Sequence, residues 1–215
     1  MFVEGGTYGS FLYGTISYNI ANVSSGNGGG ICFGNGSIVA CGEQNTTNSL
    51  YINNNKSYRG AGIYLEDNQG DIYNKVYITS NVATQDGGGV YCKKSENSST
   101  KYITLSAIIQ GNSANYGGGV YFQGDNADIG FSNRLIGRVS IAGITIKYNT
   151  ANQKGSELFI NKMPVAIWGT TDISGNFYAM DGGHLIIYTS YGFNNGELFR
   201  IRITCLLYTS DAADE

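Results

Sequence analysis

The feature that most constrains this chain is a phrase that recurs six times: an isoleucine three residues before an asparagine, a glycine-rich corner, then two apolar residues spaced by two. Its clearest copy runs from Ile109 and Asn112 to Gly117-Gly118-Gly119-Val120-Tyr121-Phe122. Ile16 and Asn19 lead to Gly28-Gly29-Gly30-Ile31-Cys32-Phe33, and Ile52 and Asn55 to Gly60-Ala61-Gly62-Ile63-Tyr64-Leu65. Ile78 and Asn81 lead to Gly87-Gly88-Gly89-Val90-Tyr91-Cys92, and Ile146 and Asn149 to Gly155-Ser156-Glu157-Leu158-Phe159-Ile160. In the sixth copy Ile173 and Asn176 lead to Gly182-Gly183-His184-Leu185-Ile186-Ile187. The slot asparagines are thus spaced by 36, 26, 31, 37 and 27 residues. A repeat of roughly 20 to 50 residues belongs to stacked units, none of which can bury its apolar face alone.

The local period says what the units are. Leu50/Ile52, Val76/Ile78, Ala107/Ile109 and Ile144/Ile146 alternate with a period of two before the asparagine. Ile31/Phe33, Ile63/Leu65, Val90/Cys92, Val120/Phe122, Leu158/Ile160 and Leu185/Ile187 do so after the glycines. Period two means strands with one buried face. The expectation is an all-β solenoid of about six coils, each strand pairing with its counterpart about 4.8 Å above. Asn19, Asn55, Asn81, Asn112, Asn149 and Asn176 read as structural. They tolerate left-handed backbone at a corner and can bond one another up the axis. Connections range from ten residues (Leu65 to Val76) to twenty-one (Phe122 to Ile144), and Arg138-Val139-Ser140-Ile141 suggests a third strand within them.

Gly88-Gly89-Val90 and Ile78-Thr79-Ser80-Asn81 resemble the G-G-A-I and F-x-x-N motifs of the chlamydial polymorphic outer membrane proteins and related autotransporter passenger repeats. Ile stands for Phe, and Gly usually stands for Ala. The resemblance covers about residues 16–190. It implies a right-handed parallel β-helix of pectin lyase-like architecture, and a non-catalytic secreted or surface-exposed role as an adhesin-like passenger or stalk. Extracellular or outer-membrane placement and glycan or host-surface partners follow from it. The same architecture hosts polysaccharide-active enzymes, lyases and glycoside hydrolases, which is the alternative reading. Residues 205–215, Cys-Leu-Leu-Tyr-Thr-Ser-Asp-Ala-Ala-Asp-Glu, contain no glycine and no asparagine. They are similar to translated adapter read-through at the end of a metagenomic fragment, and are expected outside a helix spanning residues 1–204.

Composition narrows the partners. The formal net charge of −3 comes from Asp211, Asp214 and Glu215; without them 13 acids face 13 Lys plus Arg. A neutral chain without a basic stripe is a poor nucleic-acid binder. No run of 18 apolar residues exists to span a bilayer as a helix, and no secretory signal is visible at Met1-Phe2-Val3-Glu4. The chain is expected to be monomeric. One histidine and no Cys-x-x-Cys give no metal site, and nothing calls for a cofactor. The spacing leaves a Cys32–Cys41 bridge open.

Two candidate sites remain. The residue between the two inward positions after each glycine corner faces out: Cys32, Tyr64, Tyr91, Tyr121, Phe159 and Ile186. Tyr64, Tyr91, Tyr121 and Phe159 would then form one column, read as a glycan-stacking strip, with aromatic pairing that merely stabilises the sheet as the simpler alternative. For catalysis, Asp86 and Asp181 share a slot but lie about 14 Å apart by rung spacing, too far for a carboxylate pair. Glu66-Asp67 with Asp71 is the acid cluster to test. Gly183-His184-Leu185 and Arg200-Ile201-Arg202 look like polygalacturonase segments, but the accompanying Asn-Thr-Asp and Asp-Asp are absent, and His184 reads as a corner residue. No catalytic residue is assigned.

Overall fold

The computed structural model describes residues 1–43, 47–95, 102–125, 139–169, 171–187, 201–204 and 207–209. Every strand pairing among them is parallel and joins one coil to the next, which makes a parallel β-helix. Four sheets run along it. The entry sheet holds Gly14–Ser17, Leu50–Asn53, Val76–Thr79, Ile108–Gln110, Thr145–Lys147, Thr171–Ser174 and Ile201–Thr204. Past each asparagine corner lies a short sheet of Lys56–Arg59, Val82–Asp86, Ser113–Tyr116 and Thr150–Lys154. After the glycine corner comes the ring sheet, which includes Ile31–Phe33, Ile63–Glu66, Val90–Lys94, Val120–Gly124, Leu158–Asn161 and Phe177–Met180. The return sheet, which includes Ile38–Cys41, Gln69–Ile72, Ile103–Leu105, Val139–Ala142, Pro164–Trp168 and His184–Ile187, closes each coil.

The inward pairs meet in one continuous core. Ile52, Ile78, Ile109 and Ile146 from the entry sheet, Ile63, Val90, Val120 and Leu158 from the ring sheet, and Ile72, Leu105 and Ile141 from the return sheet are all fully buried. Each such side chain contributes roughly 1.5–3 kcal/mol of transfer free energy. Register holds like against like: Ile52 beside Ile78, Ile78 beside Ile109, Ile109 beside Ile146. The return sheet is the expected third strand, and Val139–Ala142 is one of its members.

The short sheet has no period-two apolar signal in the sequence. Its inward residues are Ser57, Ala83, Ala114 and Ala151, which pair across the coils. Residues this small give no apolar alternation to read. The expected left-handed asparagines are also corrected. The left-handed residue is the one before each of the first five asparagines: Tyr18 (φ 58°), Asn54 (φ 56°), Ser80 (φ 57°), Gly111 (φ 63°) and Tyr148 (φ 61°). The asparagine follows the corner, so its side chain is free to bond along the axis.

The sixth copy departs from the expected register. After Asn176 the chain enters the ring sheet directly, and Phe177–Met180 pairs with Leu158–Asn161. Gly182 then turns the chain, and His184–Ile187 pairs with Pro164–Trp168 in the return sheet. Leu185 and Ile186 therefore do not continue the glycine-corner strand. His184 opens a return strand, and Tyr178 takes the outward place expected for Ile186. The copy has no residues between Asn176 and its ring strand to build a short strand and glycine corner.

The entry sheet has seven strands, one beyond the six copies, because Ile201–Thr204 pairs with Thr171–Ser174. Leu207–Thr209 pairs in parallel with Phe177–Ala179, so the ring sheet continues into the segment expected outside the helix. The open edge of a sheet offers unpaired backbone groups to any following strand, whatever its composition. Among the described residues no helix is long and apolar enough to cross a membrane, which says nothing of β-barrels.

Candidate functional site

Inside the solenoid, the slot asparagines form a hydrogen-bonded ladder. The backbone N–H and Nδ2 of Asn81 both donate to Asn112 Oδ1, at 2.9 and 3.0 Å, and the second Nδ2 hydrogen goes to the Ile52 carbonyl at 2.9 Å. Asn19, Asn55 and Asn112 make the same axial contacts to Asn55, Asn81 and Asn149. Every polar group of the buried carboxamides is thereby used, as burial requires. The glycine triplet exists for this ladder as well as for its corner. Gly87 sits at φ 64°. A Cβ on Gly89 would lie 2.6 Å from the Gly119 carbonyl oxygen and 3.1 Å from Asn112 Nδ2.

Asn176 is not in the ladder; it is exposed. Glu157, buried in the third-glycine slot, takes its place. Its carboxylate accepts from the backbone N–H of Asn149 at 3.2 Å and of Asn176 at 3.1 Å, and from the Ser156 hydroxyl. Burial pushes the Glu157 carboxyl up, against the pull of those donors.

On the outer surface, Tyr64, Tyr91, Tyr121, Phe159 and Tyr178 form one column down the ring sheet. Successive ring centroids are 5.2, 5.4, 4.8 and 5.2 Å apart, with interplanar angles of 2°, 15°, 8° and 28°. This geometry limits the glycan-stacking expectation. The column exists, but the ring faces cover one another, and the five residues are only 2–8% exposed. What points outward is the ring edges. Burial pushes the Tyr64 and Tyr91 hydroxyls well up and that of Tyr121 to about 12. Tyr64 donates to Glu66 at 3.2 Å and Tyr121 to Gln123 at 3.2 Å.

A second column, from the short sheet, buries the rings. Arg59, Asp86, Tyr116 and Lys154 are aligned in register, one per coil. Val82–Asp86 and Thr150–Lys154 each carry an extra residue relative to their neighbours, and the register shifts before Asp86 and Lys154. Bulges of this kind re-aim a side chain. Three of the four reach the ring of the coil above. The Arg59 guanidinium lies 5.7 Å from the Tyr91 centroid, Tyr116 meets Phe159 edge-on at 5.5 Å, and Lys154 Nζ lies 4.3 Å from the Tyr178 centroid. Asp86 pairs with Arg59 at 2.8 Å. Burial raises the Asp86 carboxyl while the Arg59 hydrogen bond opposes it.

Between the two columns lies an open groove of about 420 Å³. The short-sheet column forms one wall, Tyr121, Phe159 and Tyr178 the other, and Gln85, Asn161 and Met180 complete it. That volume is within the range of small-molecule sites.

Residues 75–93 match the family model of the Chlamydia polymorphic membrane protein (Chlamydia_PMP) repeat. The match covers one whole run from entry strand to ring strand: Val76–Thr79, Asn81, Val82–Asp86, the glycine triplet and Val90 to Lys93. The chain is thus a β-helical repeat protein similar to that family. No curated protein and no solved structure matches it.

The remaining sequence candidates are dispersed. Glu66 is ion-paired with Lys93 at 3.0 Å. Asp67, left-handed at φ 50°, accepts the Ser95 N–H and hydroxyl at 2.6 Å each. Asp71 lies on another sheet, in register with Ala40 and Thr104. The three acids belong to two sheets and the corner between them, and no metal-binding group of acids, His and Cys occurs among the described residues. Asp181 sits exposed in the turn after the ring strand, so it does not share Asp86's slot. Cys32 and Cys41 are free thiols. Cys41 points into the core, while Cys32 packs beside the outer rings, so the open bridge is not made.

Proposed function

We propose that this chain is a non-catalytic, surface-exposed β-helical repeat region that serves as an adhesin-like passenger or stalk. The observation that carries the reading is the match of residues 75–93 to a polymorphic membrane protein repeat, in a coil whose neighbours repeat its geometry. A solenoid suits this role physically. Each coil contacts only its neighbours, so length grows by repetition, and outward residues are free to vary over a fixed core. The outer groove supplies a concave, mixed aromatic and polar surface for glycans or other cell-surface molecules.

The test is adhesion. Beads coated with the protein are applied to epithelial cells, with soluble protein as competitor and albumin-coated beads as reference. Adhesion above the reference, abolished by the competitor, is expected. Beads that adhere no better than albumin would reject the adhesin role. Labelling of intact producing cells with an antibody to the chain checks surface exposure separately.

A further inference from the structure

The short sheet stops before the sheets on either side of it. Thr150–Lys154 is its last strand and, among the described residues, pairs only with Ser113–Tyr116. The entry sheet continues for two more coils, through Thr171–Ser174 and Ile201–Thr204, and the ring sheet through Phe177–Met180 and Leu207–Thr209. In both of those coils only two residues join the entry strand to the ring strand. The edge of Thr150–Lys154 therefore opens into a recess where two coils cut the corner. Lysine commonly guards such an edge. Lys154 is turned aside instead, donating to the Tyr178 hydroxyl at 2.7 Å and lying 4.3 Å from its ring centroid.

Two series of backbone hydrogen bonds end at this recess. The carbonyls of Asn19, Asn55, Asn81 and Asn112 accept from the first short-strand residue of the next coil: Lys56, Val82, Ser113 and Thr150. Asn149 is next in that series, and no short strand follows it. The N–H groups of Gly28, Gly60, Gly87 and Gly117 donate to the last short-strand carbonyl of the next coil: Arg59, Asp86, Tyr116 and Lys154. Gly155 is next in that series. Asn149 and Gly155 are both buried, where backbone polar groups are nearly always paired. Between them the Thr150 N–H turns back to Asn112, so the peptide groups of Ala151 face the open side. Ala151 is only half-buried, whereas Ala83 and Ala114 of the same column are buried.

The recess thus specifies a strand parallel to Thr150–Lys154, with an N–H for Asn149 at its start and a carbonyl for Gly155 at its end. Its length is four residues, as in Ser113–Tyr116, or five, as in Thr150–Lys154. Beside Ala151 it continues the inward column of Ser57, Ala83 and Ala114, which takes small residues. Beside Asn152 it continues an outer ladder. There Asn152 Nδ2 donates to Asn115 Oδ1 at 3.0 Å, and Asn115 Nδ2 to the Thr84 carbonyl at 2.8 Å. An asparagine in the added strand supplies the next bond. Two copies do not join short sheet to short sheet end to end, because the opposite edge is covered: Lys56 and Arg59 bridge in parallel to Ile20 and Asn27.

We infer that this edge takes up an extended segment of a partner protein as an added parallel strand, with a small residue followed by asparagine. The inference is independent of the adhesin reading and is tested without cells, so either can fail alone. The probe is a blocked peptide with the sequence of residues 112–117, Asn-Ser-Ala-Asn-Tyr-Gly, titrated by NMR into the whole chain. Hydrogen exchange at the Ala151 and Gly155 amides should slow on binding. N-methylation of the peptide's serine removes the donor to Asn149 and should weaken binding roughly tenfold or more, as one lost hydrogen bond to a buried acceptor would. N-methylation of its alanine, whose N–H points away from the edge, should leave affinity nearly unchanged. In the chain, Ala151→Pro removes the open-side N–H and keeps the pairing to Ser113–Tyr116, since proline is tolerated on an edge strand. It should weaken peptide binding with little change in thermal unfolding. Should it fail to fold, the two methylated peptides carry the test on wild type. No binding at about 1 mM peptide, unslowed exchange at Ala151, equal loss from both methylations, or unaltered binding by folded Ala151→Pro each overturns the inference. A dimer of the chain that the peptide dissociates also overturns it, by assigning the edge to a second copy.

Discussion

The central coils and the last full coil solve one problem in two ways. From Asn55 to Asn149 each coil passes its ladder hydrogen bonds to the next asparagine, and a glycine leaves room for that carboxamide. Above Asn149 no asparagine follows, and Glu157 occupies the glycine slot with its carboxylate where the next Oδ1 would stand. Asparagine and glycine are therefore coupled across coils. A side chain is admitted in the third-glycine slot only where the neighbouring ladder residue is missing. The next copy, from Asn176, drops its short strand and glycine corner, and its ring, Tyr178, is tilted by 28° to Phe159, where the central rings differ by 2–15°.

The sharpest way to break this comparison is at the ladder. Asn112→Leu strands the N–H and Nδ2 of Asn81 and the Ile78 carbonyl in the core. A loss of about 3–5 kcal/mol is expected, read as a large drop in urea midpoint. Asn176→Ala, at the exposed equivalent, should change stability by less than about 0.5 kcal/mol. Similar losses at both positions would refute the distinction.

Next comes the ring column. Tyr91 lies between two parallel rings, and truncation to Ala should cost about 3–4 kcal/mol, with about 2 kcal/mol for the tilted Tyr178. Chemical denaturation of both variants orders them. It follows that Tyr91→Ala is a folding variant before it is a binding variant, so the groove is better probed at Lys154.

Glu157 gives a smaller effect. Glu157→Leu removes the acceptor of the Asn149 N–H, while the Asn176 N–H keeps Ser156 Oγ at 3.1 Å, and should cost about 2 kcal/mol. Hydrogen exchange at Asn149 should speed up most.

The pH dependence of the same residue is the finest probe. Burial raises the folded carboxyl above its unfolded value. Its contribution to stability is therefore fully present below the unfolded carboxylate range and is lost as pH rises through the folded value. Thermal unfolding of wild type relative to Glu157→Gln should thus improve as pH is lowered. A difference independent of pH would mean that Glu157 titrates normally.

The inward aliphatic pairs and the asparagine slots were legible because each is a local period-two or fixed-offset signal. They specify the entry and ring sheets and place Tyr64, Tyr91, Tyr121 and Phe159 in one column. Val139–Ser140–Ile141 gave the return sheet by the same signal. Ser57, Ala83 and Ala114 were silent, because a strand turned inward on small residues has no apolar contrast with its outer face. Without that strand, Arg59, Tyr116 and Lys154 had no assigned place, and the groove they wall was not visible.

By itself, then, the sequence determined the repeat, the parallel stacking and the identity of the core, since these depend on residue type and spacing along one coil. Only the tertiary structure decided which coil neighbours which in the irregular sixth copy, that Glu157 ends the ladder, and that ring faces are hidden and edges shown. Those features arise between residues 20 to 40 positions apart. Bulges and skipped corners shift such register by single residues, and a one-residue shift sends a side chain to the opposite face.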